Sequence, residues 1–194
     1  PLDSWLEDDL MLSISKINSV AETAFFILKD DTILLRWFTP EIEMDLCGHA
    51  TLATAYCLNS ILNHPNKSIR FETKSGEITV DFKDDKYHMD FPTRIPLKSD
   101  LPKLISKSLN LKPLEVYKSR DYLLIYDSEE DIKKIKINTN YFNQINLDPG
   151  GVVVTAKGTN SDFVSRYFTP QSTILEDPAT GSSHCSLIPF WSKR

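Results

Sequence analysis

The 194 residues carry 22 Lys and Arg against 27 Asp and Glu, for a net charge of -5, and 41% are hydrophobic. That apolar fraction supplies a real core for one large domain or two small ones. A scattered, net-negative charge offers no broad attraction for nucleic acid or an anionic membrane. No apolar run approaches the ~20 residues of a membrane helix, no basic-then-apolar leader opens the chain, and three widely spaced cysteines make no disulfide framework. The expected setting is cytoplasmic, with reduced thiols.

In chain order, Ser4 and Glu7 have capping-box spacing, and Leu6, Leu10, Met11 and Ile14 follow at helical intervals, predicting an amphipathic helix to Lys16. Glu22 to Leu28 and Thr32 to Phe38 read as strands. After a loop from Pro40 to Leu46, a helix is expected from Gly48 through Leu58. Ile69 to Thr73, Ile78 to Phe82 and Tyr87 to Phe91 alternate apolar with polar residues around turn-forming Lys74-Ser75-Gly76 and Lys83-Asp84-Asp85. Such a meander argues against a purely parallel doubly wound sheet. Pro92, Pro96 and Pro102 then mark a linker, placing a boundary near 95 and two domains at 1–95 and 96–194. In the second, Leu101, Leu104, Ile105 and Leu109 form a helical stripe, and Tyr122 to Tyr126 a strand. Ser128 heads a short helix to Lys136, with Glu129 and Glu130 favouring its N-terminus. Gly151 to Ala156 and Asp162 to Phe168 are further strands. The chain opens at Pro1 without Met and ends at Arg194 where a last helix should continue, as expected of a piece of a longer protein.

One motif occurs twice. Arg36-Trp37-Phe38-Thr39-Pro40 precedes Cys47-Gly48-His49, and Arg166-Tyr167-Phe168-Thr169-Pro170 precedes Asp177-Pro178-Ala179-Thr180-Gly181-Ser182. Counting from each arginine sets Cys47 opposite Asp177. Each copy reads as a strand, a Pro-initiated turn and a small-residue entry into a helix. Two related halves carrying different proton-transfer groups suggest acid-base chemistry.

Free N-H groups at a helix start can cradle a carboxylate or a developing enolate, which makes Gly48, Gly181 and Ser182 candidate substrate-binding positions. The alternative is an ordinary capped turn. Cys47, just before a helix, would have its thiolate favoured there and could be a base, or it is a small buried apolar residue. Asp177 is a proton carrier or an N-cap; His49 is a proton donor or a polar residue fixing the turn. Glu22 opens the apolar Thr23-Ala24-Phe25-Phe26 with no basic residue close in sequence. A partly desolvated carboxylate there would suit general base or acid work, against the plainer reading of a strand-end charge. Trp37, Phe38 and Tyr167 either wall a ring-binding pocket or belong to the core. Cys57 and Cys185 read as packing residues, and no C-x-x-C pair supports structural zinc.

Ala21-Glu22-Thr23-Ala24-Phe25, Arg36 to Pro40, Cys47 to Ala53, Asp162 to Phe168 and Glu176 to Cys185 together resemble the PhzF-like proteins of phenazine-biosynthesis type, relatives of diaminopimelate epimerase and proline racemase. The resemblance implies an α+β fold of the diaminopimelate epimerase-like kind. Two pseudo-symmetric domains would each wrap a curled, mostly antiparallel sheet around a central helix, with the active site in the cleft between them. It implies an isomerase in which Glu22 moves a proton between carbons of a small carboxylate, His49 and Asp177 assist, and Gly48, Gly181 and Ser182 hold the substrate carboxylate. No metal or organic cofactor is implied, and a homodimer fits the family. Two cysteines act in the racemase relatives; the first matches Cys47, whereas Asp177 stands at the second position, a departure that argues against a two-thiol racemase. Ala21 stands where many relatives have serine. The family's opening strand with its Gly-Asn-Pro segment, and its closing strands, have no counterpart in this chain. An epimerase using Cys47 and Asp177, and a non-catalytic binding protein, are the competing readings.

Overall fold

The structure is a computed structural model that describes residues 1–29, 31–147, 150–170 and 174–194. It divides into Pro1–Pro92 and Thr93–Arg194, each with its own sheet.

The first unit runs α1 (Asp8–Asn18), β1 (Thr23–Lys29), β2 (Thr32–Phe38), β3 (Glu43–Met44), α2 (Gly48–Ser60), β4 (Ser68–Thr73), β5 (Gly76–Lys83) and β6 (Lys86–Asp90). Helix α1 starts a turn later than its sequence predicts. Its N-cap is Glu7, without a side-chain cap bond, and the first-turn Asp8 and Asp9 with last-turn Lys16 complement the helix dipole instead. The stripe also shifts: Met11 is fully buried against Phe25 and Phe38, whereas Leu10 is exposed. Ser19 ends the helix in the left-handed region at φ 52° and bonds back to Ser15.

Strands β1 and β2 pair from Thr23↔Phe38 to Lys29↔Thr32, and β2 then runs parallel to β4 through Ile33↔Phe71 and Leu34↔Glu72. A parallel pair needs a crossover, and α2 is that connection. Its buried residues Ala50, Thr51, Thr54, Ala55 and Leu58 form one face. The two threonines enter the core because their hydroxyls donate to the carbonyls of Cys47 and Ala50, at 2.6 and 2.7 Å. In the antiparallel β4–β5–β6 meander, Asp84 and Asp85 both take positive φ, 51° and 56°, the signature of a tight hairpin turn.

The second unit runs β7 (Leu97–Lys98), α3 (Lys103–Ser108), β8 (Glu115–Lys118), β9 (Tyr122–Ile125), α4 (Glu129–Lys134), α5 (Thr139–Phe142), β10 (Val152–Lys157), β11 (Phe163–Phe168), β12 (Glu176–Asp177), a 3-10 turn (Gly181–Ser183) and α6 (His184–Trp191). Its strands lie in the order β12-β11-β10-β9-β8-β7, with β9 and β10 parallel and the other pairs antiparallel. Ser128 caps α4 as expected, its oxygen accepting the Asp131 N-H at 3.2 Å. Strand β10 is covered on both faces. Val152, Val154 and Ala156 pack with Ile105, Ile132 and Phe142, while Val153 packs with Leu187 and Phe190 of α6. Trp37 and Phe38 are core residues of the first unit, and Tyr167 is a core residue of the second that also lines a concavity there. The turn predicted after Pro170 falls partly on 171–173, outside the described residues.

Gly151 has no room for a side chain: a Cβ there would sit 2.5 Å from Cζ of Tyr167. Gly151→Ala is therefore expected to lower stability by ~1–3 kcal/mol through overpacking, read by urea denaturation. A change below a few tenths of a kcal/mol would show that the ring moves aside freely.

Candidate functional site

Two clips of the same chemistry position the two helix starts. In the first unit the Arg36 guanidinium forks onto Glu43, Nε to Oε1 at 2.7 Å and Nη2 to Oε2 at 2.9 Å, fastening β3 to β2. Lys74 also donates to Glu43. Burial alone would raise the Glu43 carboxyl, but the hydrogen bonds from Arg36 and Lys74 outweigh it and hold it below the usual range. In the second unit Arg166 forks onto Glu176, both bonds at 2.7 Å, fastening β12 to β11, and its Nη1 donates to the carbonyls of Ile132 and Ile135. Bidentate pairs fix geometry as well as charge.

These clips correct the pairing of the two motifs. Phe38 pairs with Glu43 and Phe168 with Glu176, so Glu43 and Glu176 hold equivalent ladder positions. Gly48 follows Glu43 by five positions and opens α2; Gly181 follows Glu176 by five and opens the 3-10 turn. Counted from the clips, Cys47 corresponds to Thr180, and Asp177 to Met44. Counting from the arginines misplaced the pair because 169–175 separates the second strand pair where 39–42 separates the first. Thr180, which the sequence marks as a possible hydroxyl donor beside Gly181, therefore holds the position equivalent to Cys47; Gly48 and Gly181, used as anchors, give that equivalence.

Around the start of α2, Glu22, Cys47 and His49 come together, each offering one donor atom within 4.8 Å of the others. Glu22 directly precedes β1 and its side chain is 16% exposed, whereas that of His49 is 64% exposed. His49 Nε2 lies 3.2 Å from Glu22 Oε2, and its Nδ1 lies 3.7 Å from Cys47 Sγ. Cys47 is buried at 5% exposure. Burial and the neighbouring Glu22 carboxylate push its thiol up to about 12, against the opposite pull of the Ala50 and His49 N-H groups. The sequence expectation of a favoured thiolate is overturned: the helix start helps, but desolvation and a like charge win. Gly48 is half-buried beside Phe91, whose ring a Cβ would meet at an ordinary 3.6 Å.

A pH dependence follows. An unfolded cysteine releases its proton near ~8.5, while folded Cys47 keeps it to about 12. The resulting stability is fully present below about pH 8.5 and is lost as pH rises towards 12. Against Cys47→Ala, the natural chain should lose ~2 kcal/mol between pH 7 and pH 10 in urea titrations. Parallel stability curves for the two proteins would contradict the neutral thiol.

In the second unit the Asp177 carboxylate accepts the Ala179 N-H at 3.1 Å and the Thr180 hydroxyl. It shapes the turn before Gly181, as a capping residue does. Ser183 donates to the Thr180 carbonyl at 2.7 Å, completing the turn. Ser182 is half-buried and Gly181 exposed, with open space where a Cβ would point. A concavity of about 470 Å³ is lined here by Arg166, Asp177, Thr180, Gly181, Ser183 and His184. Cys185 is buried, as a packing residue should be, and Cys57 half-buried.

Two mostly antiparallel sheets, each with helices against it, define an α+β protein of the epimerase-like class. A predicted epimerase of Pseudomonas aeruginosa shares this fold with a TM-score of 0.65 at 15% identity, over 98% of this chain and 73% of that one. The chain belongs to the phenazine biosynthesis-like protein family, PhzC-PhzF, whose model matches residues 2–194. A crystal structure of a PhzF-family protein from Enterococcus faecalis superimposes with a TM-score of 0.82 at 40% identity, over 100% of this chain and 74% of that one. An uncharacterized isomerase of Pseudomonas aeruginosa is 42% identical over 100% of this chain and 74% of its own length. Several curated relatives are named isomerases, and this chain is an enzyme of that kind.

Proposed function

We propose that the chain is a cofactor-independent isomerase that moves a proton between carbons of a small carboxylate substrate, with Glu22 as the proton carrier. The observation that carries this reading is the placement of Glu22: a mostly buried carboxylate beside His49, at the N-terminus of the helix that supplies Gly48. The carboxylate takes a proton from carbon next to a carbonyl or conjugated centre, becomes an acid whose proton exchanges with solvent, and delivers a proton to another carbon. His49, the exposed partner, steadies the carboxylate and meets the substrate. Backbone N-H groups at Gly48, and at Gly181 and Ser182, suit the substrate carboxylate and the charge that develops as the proton leaves. Asp177 assists by holding Thr180 and the turn before Gly181.

The epimerase reading with Cys47 and Asp177 as opposed bases is disfavoured. The Cys47 thiol stays protonated, and Asp177 is engaged in its own turn. Incubation with small cyclic and amino carboxylates in deuterated water, followed by mass spectrometry, separates the readings. Exchange that survives Cys47→Ala and vanishes in Glu22→Gln supports the isomerase. Exchange that vanishes in Cys47→Ala sinks it in favour of the epimerase, and no exchange with any member of the panel favours a non-catalytic binding protein.

A further inference from the structure

We propose that Glu22, Cys47 and His49 form a binding site for a soft divalent cation of the zinc type. The three side chains offer one oxygen, one sulfur and one nitrogen, a donor set that zinc accepts with metal-donor distances of ~2.0–2.3 Å. Tetrahedral donors at such distances stand roughly 3.3–3.8 Å apart. Here Glu22 Oε2 lies 3.2 Å from His49 Nε2 and Cys47 Sγ lies 3.7 Å from His49 Nδ1, the two ring nitrogens; with one donor atom taken from each residue, all three fall within 4.8 Å of one another. Small side-chain rotations, about one imidazole nitrogen, close the set.

The backbone holds the donors in place. Glu22 is anchored by the β1 ladder that begins at Thr23, and Cys47 by the Thr51 hydroxyl on its carbonyl. His49 is the exposed member, so a cation enters from solvent and keeps a fourth position for water. Electrostatics favour a dication as well: Glu22 opposes a thiolate at Cys47, and a bound dication compensates both negative charges. On binding, the Cys47 proton passes to solvent and sulfur coordinates as thiolate. If Glu22 is the proton carrier, occupancy engages its carboxylate and the cation inhibits; that consequence, unlike the binding itself, rests on the function proposed above.

The test needs no substrate. Zinc is titrated into the full chain in competition with a chromogenic chelator, and Co2+ is used separately to reveal sulfur ligation by its thiolate charge-transfer absorbance. Expected are one zinc per chain, a loss of affinity in Cys47→Ser and in His49→Gln exceeding the ~10–100-fold typical of a lost outer partner, and unchanged affinity in Cys57→Ala. The cobalt absorbance should disappear in Cys47→Ser alone among the cysteine variants. Both weakened variants must retain the thermal transition of the natural chain, which exposed His49 makes straightforward for His49→Gln. Absence of stoichiometric zinc binding, unaltered affinity in Cys47→Ser and His49→Gln, or a loss produced only by Cys185→Ala would each overturn the proposal.

Discussion

Glu22→Gln is expected to reduce substrate-dependent exchange with deuterated water by ~10²–10⁴-fold, the range that a positioned general acid or base contributes. Glutamine keeps the size of the side chain and a hydrogen-bonding oxygen for His49, so the variant removes the ability to carry a proton and little else. Stability should therefore change by less than about 1 kcal/mol, because the amide fills the same space and still accepts from His49. The combination is diagnostic. A large loss of exchange with an unshifted thermal transition identifies a chemical role, whereas equal losses of both would make Glu22 a structural residue. His49→Gln should fall between, because His49 approaches the same carboxylate from solvent rather than carrying the proton itself.

The largest stability effect is expected at Asp121, which is 2% exposed. Its Oδ1 accepts the Gly151 N-H and the Tyr167 hydroxyl, both at 2.9 Å, and lies 3.3 Å from Arg120 Nε. Arg120 in turn donates to the Tyr167 oxygen at 3.2 Å. This knot ties the entry of β9 to the entry of β10 and to β11. Asp121→Ala removes the acceptor shared by the Gly151 N-H, the Tyr167 hydroxyl and Arg120 Nε, a change that costs ~3–5 kcal/mol when one member of a buried pair is removed. For a chain of this length that is roughly 6–20 °C of melting temperature. Tyr167→Phe, which deletes one hydroxyl, should cost only ~1–2 kcal/mol. Circular dichroism melts of the two variants check the order; an Asp121→Ala loss no larger than that of Tyr167→Phe would mean that water replaces the carboxylate.

Much of the fold was legible because its signals are local. Alternation in 69–73 and 78–82 marked strands that bury Ile69, Phe71, Ile78 and Val80, and Ser128 capped the helix its spacing announced. Short elements were not legible. Strand β8, the two-residue strands β3, β7 and β12, and helix α5 are too brief for a period to establish itself, and the strands exist because neighbouring strands supply hydrogen-bond partners. The first helix begins at Asp8 rather than after Ser4, with no side-chain cap bond from Glu7 and with Asp8 and Asp9 in its first turn.

The sequence by itself determined the residue types of the candidate site, the family motifs around Glu22, His49 and Asp177, and the α+β class, since period, turn chemistry and motif order survive without coordinates. Tertiary structure alone decided three things. It brought Glu22 beside Cys47 and His49 across a separation in sequence that no pattern bridges, and it turned Cys47 from a candidate thiolate into a protonated thiol by burying it next to a carboxylate. It also made Thr180, not Asp177, the positional equivalent of Cys47, through the registers that Arg36 and Arg166 clip in place. Burial, charge proximity and strand register all depend on residues distant in the chain, and that is why only the folded molecule could reveal them.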